Sequence, residues 1–292
     1  MAIPTIGFTG LGLMGGNMAE CLQNNGFDLV VIGRNKDAAS KTVARGAVEV
    51  ATPKELAEAS DIVMLCVTTS EVVESLVFGE DGIMAGIKEG ATLIDFGTSI
   101  PASTRKIGAA LADKGAGMLD APLGRTPVHA KDGLLNIMAA SDMQTYKQMK
   151  PILDVLGENV FYLGALGSGH VTKLVNNFMG MTTVVTMSQA FAVADRAGVN
   201  RQQLFDIMSA GPSNSPFMQF AKKYTVDGVS DLGFSIGNAS KDVDYFPAMV
   251  EEMGTRAEIA EGTSANLKAA LDAGIGYGNV PEIFDLFLNH KR

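Results

Sequence analysis

Two stretches of the chain carry residues whose type and spacing could do chemistry. The first is Gly10-Leu-Gly12-Leu-Met-Gly15, directly after the short apolar run Thr5–Thr9. Such a loop between a strand and a helix lets a pyrophosphate approach free N–H groups and the positive end of a helix dipole. Its strand–turn–helix context makes the glycine spacing specific, where the glycines alone would be a weak sign. The plainer alternative is a tight turn in an α/β protein that binds something else. The second stretch runs from Gly164 to Phe178 and contains Gly169-His-Val-Thr-Lys173-Leu-Val-Asn176-Asn177. Lys173 and Asn177 are one helical turn apart and share a face, while Asn176 projects about 100° away. A lysine inside so apolar a segment must be paired, snorkelling or functional. A lysine at the exposed end of a core helix is the plainer reading.

The elements that must position these residues follow from the pattern. Strands are expected at Thr5–Thr9, Leu29–Ile32, Glu49–Ala51, Asp61–Val67, Ala91–Asp95 and Gly117–Asp120, and then at Leu134–Ala139 and Val160–Leu163. Helices fall between them, at Asn17–Asn25, Lys36–Arg45, from Pro53, at Pro101–Lys114 and at Met143–Leu156. The unbroken apolar run at Asp61–Val67 suits a strand buried on both faces. Alternation of this kind predicts an α/β fold with a doubly wound parallel sheet, a Rossmann domain over 1–163. From Gly164 the pattern changes to helices alone, at 167–196, 201–209, 216–224, 238–253, 257–273 and 281–288, so an all-α domain is expected over 164–292. The helix over 167–196 is apolar on both faces, which predicts burial all round.

Composition excludes several classes. The chain has 292 residues, 47% hydrophobic and 19% charged, enough for two cores. A net charge of −9 without a basic stripe argues against a nucleic-acid partner. Two cysteines and three scattered histidines offer no metal-ligand spacing. Cys21 and Cys66 read as buried thiols of a reduced compartment, and the first strand leaves no room for a signal peptide, so a cytoplasmic protein is expected. Threonines, a glutamine and a serine in the long helix argue against a membrane span.

After the second strand, where an acidic residue would select NAD through the ribose 2′-hydroxyl, the chain reads Gly33-Arg34-Asn35-Lys36. No carboxylate is there to repel a 2′-phosphate, and Arg34 can bind one with two hydrogen bonds. NADP is therefore expected ahead of NAD, unless Arg34 is only a solvated surface residue.

Three further segments join the glycine loop: Asp95-Phe-Gly-Thr98-Ser99, Asp120-Ala-Pro-Leu-Gly124-Arg125-Thr126 and Gly169 to Asn177, with Lys241-Asp242 later. In order and spacing they resemble the β-hydroxyacid dehydrogenase family, which includes 3-hydroxyisobutyrate dehydrogenases and semialdehyde reductases. The resemblance implies hydride transfer between a nicotinamide and the carbinol carbon of a short 3-hydroxy acid. It makes Lys173 the catalytic residue, because a carbonyl that receives hydride at carbon needs a proton at oxygen, and a lysine of lowered pKa can supply it. No His–Asp pair competes for that role in the sequence. Asn177 and Asn176 are then substrate contacts, as are Ser99, Gly124, Arg125 and Thr126. Gly10, Gly12, Leu13, Met14, Gly15, Arg34, Asn35, Val67, Thr68, Thr98 and Lys241 are expected to hold the cofactor.

One loop departs from the family. Most members read Asp-x-Pro-Val-Ser-Gly-Gly, a small neutral loop that grips a carboxylate through N–H groups and a hydroxyl. Here Leu123-Gly124-Arg125-Thr126 places an arginine fork beside the cleft, similar to the sulfolactaldehyde reductase branch. A sulfonate-bearing aldehyde thus competes with a plain hydroxy acid as the small anionic substrate. His129 and Lys131 could add to an anion site but suit solvated loop positions as well. A non-catalytic dinucleotide-binding module is the reading from another class, and retention of Lys173, Asn176 and Asn177 argues against it. Apolar helices in the second half predict a homodimer or homotetramer.

Overall fold

The computed structural model describes residues 3–33, 36–230 and 233–289. The chain forms two compact units, Met1–Lys173 and Leu174–Arg292.

The first unit alternates strands and helices: β1 (Ile6–Thr9), α1 (Leu13–Asn24), β2 (Leu29–Ile32), α2 (Lys36–Val43), β3 (Val48–Glu49), α3 (Pro53–Glu58), β4 (Ile62–Leu65), α4 (Ser70–Phe78), α5 (Ile83–Gly86), β5 (Thr92–Asp95), α6 (Pro101–Ala112) and β6 (Gly117–Asp120). The six strands pair in parallel in the order β3-β2-β1-β4-β5-β6. Successive strand residues face opposite sides. Ile62 and Met64 accordingly enter one core with Ile6, Phe8 and Leu119, while Val63 and Leu65 enter the other with Val30, Leu93 and Met118. The order reverses between β1 and β4, and a crevice at the carboxyl ends of those two strands is where such sheets take ligands.

After β6 the chain does not cross over for another parallel strand. It turns back at Pro122 into β7 (Leu123–Gly124), then α7 (Pro127–Lys131), β8 (Leu135–Ala139), α8 (Met143–Leu156) and β9 (Gly157–Tyr162). The last strands expected in the doubly wound sheet therefore form a separate three-stranded sheet. In it β7 is antiparallel and β9 parallel to β8. A two-residue antiparallel bridge, Asp120 to Ala140, is what ties this sheet to the end of β6.

Helix α9 (Ser168–Arg196) begins in the first unit and continues into the second. The second unit adds α10 (Arg201–Ser209), α11 (Pro216–Thr225), α12 (Ile236–Glu252), α13 (Glu258–Asp272), a 3₁₀ turn at Val280–Glu282 and α14 (Ile283–Asn289). Its described residues contain no strand beyond a single bridge, Ser235 to Asn279. Val184, Met187 and Phe191 of α9 pack there with Phe205, Met218, Val243, Leu267 and Phe284. The other face of α9 is open: Val175, Met179 and Val193 are 47%, 67% and 63% exposed. The apolar pattern is real, but the single chain covers only one side of the helix. No helix among the described residues is long and apolar enough to cross a membrane.

Candidate active site

The glycine loop joins β1 to α1 at the point where strand order reverses. Gly10 has φ of +93°, and a Cβ there would lie 2.2 Å from the Cys66 carbonyl oxygen, so β1 and β4 close together only around a glycine. Gly12 differs: a Cβ on it would meet nothing within 4 Å. It is the N-cap of α1, with no side chain capping the helix and no acidic residue in the first turn. The helix starts four residues before the expected Asn17, so Leu13, Met14 and Gly15 supply its first-turn N–H groups, which have no partner within a helix. Leu13 is exposed and Met14 half-buried. Thr9, Gly10, Leu11, Gly12, Ile32, Cys66, Val67, Thr68, Val72 and Leu76 line a cavity of about 270 Å³ at the glycine loop. An open cradle at an uncapped helix N-terminus fits a dinucleotide pyrophosphate. Burial and the Asp95 carboxylate push the Cys66 thiol up to about 12, so it is a neutral wall of this cavity. Arg34 and Asn35, expected to read the ribose, lie outside the described residues. Lys36 beside them is ion-paired with Glu49 at 3.0 Å.

At the end of β5, Asp95 is fully buried. Its Oδ1 accepts from the Gly97 N–H at 2.8 Å and its Oδ2 from the Ser99 hydroxyl at 2.7 Å. The turn that carries half-buried Thr98 is thereby fixed from inside. The Ser99 side chain, expected to touch substrate, is 2% exposed and committed to Asp95 instead.

Lys173 is half-buried, and its Nζ donates to the Leu123 carbonyl at 2.8 Å. The first turn of α9 is anchored by Asp120 at the end of β6. Asp120 Oδ1 accepts from Gly167 N–H at 2.7 Å, and Oδ2 from His170 N–H at 2.8 Å. A Cβ on Gly169 would stand 2.4 Å from the Met138 carbonyl oxygen and 2.7 Å from Asp120 Oδ2, so this motif glycine is demanded by the anchor. Burial raises the Asp120 carboxyl, against the opposing pull of His170 and of the two N–H groups.

The expected arginine fork already has local partners. Arg125 has φ of +76°, a left-handed conformation that favours glycine, at the position where the family pattern has one. Its Nη1 donates to the Leu134 carbonyl at 2.6 Å and forms an ion pair with Glu158. The guanidinium braces its own loop through Nη1. Gly124 lies in β7, and Thr126 is exposed and shares a 2.7 Å hydrogen bond with His129. Lys131 lies 3.4 Å from Glu20, so both basic residues after the loop have local partners.

In the second unit, Asn177 is 7% exposed and donates to Asp242 Oδ2 at 2.6 Å. Lys241 Nζ lies 2.7 Å from Asp242 Oδ1 as an ion pair. Asn176 is exposed. Asp242 has no expected role in the sequence, and the structure makes it the hub between Asn177 and Lys241. Sequence reasoning also missed a buried His–Asp arrangement. His170 is 0% exposed, with Nε2 3.7 Å from Asp95 Oδ2 and Nδ1 3.8 Å from Asp120 Oδ2. Only the order of strands in the sheet, not spacing in the chain, could have revealed it.

Two family matches together span most of the chain. Residues 5–164 match the family described as the NAD binding domain of 6-phosphogluconate dehydrogenase. Residues 167–282 match the NAD-binding family of NADP-dependent 3-hydroxyisobutyrate dehydrogenase. The chain is 32% identical to an uncharacterized oxidoreductase of Bacillus subtilis, over 86% of this chain and 87% of that one. It is 28% identical to 2-hydroxy-3-oxopropionate reductase of Escherichia coli, over 98% and 99%. In fold it is similar to a Mycobacterium tuberculosis 3-hydroxyisobutyrate dehydrogenase structure, with a TM-score of 0.88 at 23% identity, covering 98% of this chain and 99% of that one.

Proposed function

The chain belongs to the β-hydroxyacid dehydrogenase family of NAD(P)-dependent oxidoreductases, and from that premise we propose that it interconverts a short 3-hydroxy acid of the 3-hydroxyisobutyrate type and its semialdehyde. The observation that carries this reading is the half-buried Lys173, whose Nζ is held 2.8 Å from the Leu123 carbonyl beside the loop after β6. A bound nicotinamide dinucleotide supplies or takes the hydride. Gly10, Gly12 and Gly15 admit its pyrophosphate to the N-terminus of α1, and Val67 and Thr68 wall the cavity beside it. Lys173 holds the proton at Nζ. It gives that proton to the carbonyl oxygen during reduction and takes it from the hydroxyl during oxidation. With Arg125 engaged elsewhere, the substrate carboxylate falls to the Leu123–Thr126 backbone. Asn176 and Asn177 hold the substrate and Lys241 the cofactor in this proposal, as the family resemblance implies.

NADP is proposed ahead of NAD because the segment Gly33-Arg34-Asn35-Lys36 lacks a carboxylate. Self-association is proposed through the open face of α9, where Val175, Met179 and Val193 are exposed. Two free thiols suit a reducing cytoplasm.

The test is a screen of short aldehydes and hydroxy acids with both cofactors, repeated with Lys173→Ala. The variant should bind cofactor as the parent does and turn over about 100-fold more slowly or worse, the scale for losing a general acid. Turnover within a few fold of the parent removes Lys173 from the role.

A further inference from the structure

The reaction proposed above gives His170 no role, yet its side chain is completely enclosed. Its Nδ1 shares a 2.7 Å hydrogen bond with the hydroxyl of Thr104 on α6, a residue itself 1% exposed. Its Nε2 has no hydrogen-bond partner and lies 3.7 Å from Asp95 Oδ2. Its own N–H is one of the two that Asp120 holds. An imidazole is a costly filler for such a place, because an unpaired buried polar atom is penalised where an apolar side chain of similar volume is not. Packing alone does not account for it.

What the ring joins is informative. Asp95 shapes the Gly97–Ser99 turn through the Gly97 N–H and the Ser99 hydroxyl. Asp120 fixes the start of α9 through Gly167 and His170. Lys173 lies three residues beyond His170, on the same side of the helix. The imidazole therefore stands between the turn at the end of β5 and the helical turn that carries the lysine, with α6 as its third support.

We propose that His170 is a positioning residue for hydride transfer: it keeps Lys173 in register with the Gly97–Ser99 turn. The inference rests on Lys173 being the general acid. Misplacing a reacting group by a fraction of its working distance costs turnover far more than binding, because substrate still enters while the productive geometry is lost.

The experiment compares His170→Leu, which keeps bulk and loses both nitrogens, with His170→Asn, whose amide can reproduce the bond to Thr104. Turnover number, KM, cofactor Kd and melting temperature are measured for each. His170→Leu should lower kcat about tenfold to a hundredfold with cofactor Kd and KM near those of the parent, and His170→Asn should recover most of the loss. Thr104→Val should follow His170→Leu, and Thr104→Ser should stay near the parent. This second pair decides the matter alone if the leucine variant does not fold. A leucine variant with parental kcat overturns the proposal, as does an asparagine variant as slow as leucine. So does a kcat loss that merely tracks melting temperature across all four. Lys173→Ala is run beside them. Retained turnover there defeats the general-acid reading itself, whereas a dead Lys173→Ala with a normal His170→Leu defeats only the positioning role.

Discussion

Lys173 Nζ and the carbonyl of Leu123 are 2.8 Å apart, a lysine of α9 held by the backbone of β7. A carbonyl accepts from an ammonium and from a neutral amine alike, so the group keeps its place in both states of a proton transfer. That separates the role of a proton donor from that of a fixed charge. Lys173→Arg preserves a cation within reach of the same carbonyl, but a guanidinium does not release its proton near neutral pH. The arginine variant should lose about as much turnover as Lys173→Ala, about 100-fold or more, in both directions. Recovery of most of the activity in Lys173→Arg would show that a stationary charge suffices.

Gly10 and Gly12 stand two residues apart and should respond oppositely to the same methyl group. At Gly10 the Cβ would lie 2.2 Å from a Cys66 backbone oxygen, on a residue with φ of +93°. Gly10→Ala should therefore destabilise the protein itself, by about 1–3 kcal/mol from backbone conformation before the clash is counted. At Gly12 the Cβ enters open space on a residue with φ of −76°. Gly12→Ala should melt like the parent without cofactor and lose the thermal shift that NADP or NAD produces. Calorimetry with and without cofactor distinguishes the two, and a normal cofactor shift in Gly12→Ala would take the pyrophosphate out of that cradle.

How far these sites could be read from sequence depends on how local their causes are. The Gly10–Gly15 loop and the run Ile62–Leu65 are legible because a strand, a turn and a helix start write themselves into adjacent residues. Helix α4 is not legible in the pattern: Val72, Val73 and Val77 are β-branched and favour strands, and a single cap, Thr69 accepting from Val72 N–H, starts the helix. Lys173 and Asn177 are legible as a helical pair. The partners that hold them are not, because Leu123 reaches Lys173 and Asp242 reaches Asn177 only through packing across long stretches of chain. Arg125 is a related case: its type and place in the loop are legible, and its ion pair with Glu158 is not.

Arg125 combines a left-handed backbone with a partly exposed ion pair, and the two can be weighed. A non-glycine residue in that region costs about 1 kcal/mol, and an exposed ion pair contributes about 0–1 kcal/mol. Arg125→Gly should thus be close to neutral in melting temperature, while Arg125→Ala, which keeps the strain and loses the pair, should be the less stable of the two. Neither should discriminate between anionic and neutral aldehydes of equal length. A selective rise in KM for the anionic substrate, in both variants, would restore the arginine as an anion contact.

Asp120 and Asp142 each hold the N-terminal N–H groups of a helix, yet they should give opposite pH slopes. Asp142 caps α8 by accepting from Gln144 and Thr145 N–H at 2.9 and 3.0 Å, and the Thr145 hydroxyl and N–H lower its carboxyl below the ordinary range. Its contribution is present above the unfolded aspartate value and is lost as pH falls through the lower folded value. Asp120 is raised, chiefly because burial penalises its anion. The folded chain then binds that proton more tightly than the unfolded chain does. Its contribution is complete below the unfolded value of about 3.9 and disappears as pH rises through the folded one. Melting curves of Asp120→Asn and Asp142→Asn against the parent, from pH 3 to pH 7, should therefore diverge in sense. The deficit of Asp142→Asn should grow toward neutral pH, and the deficit of Asp120→Asn should shrink over the same span. A deficit at Asp120 that grows toward neutral pH would mean that the anion is favoured there. The His170 side chain and the N–H groups of Gly167 and His170, and not burial, would then dominate the start of α9.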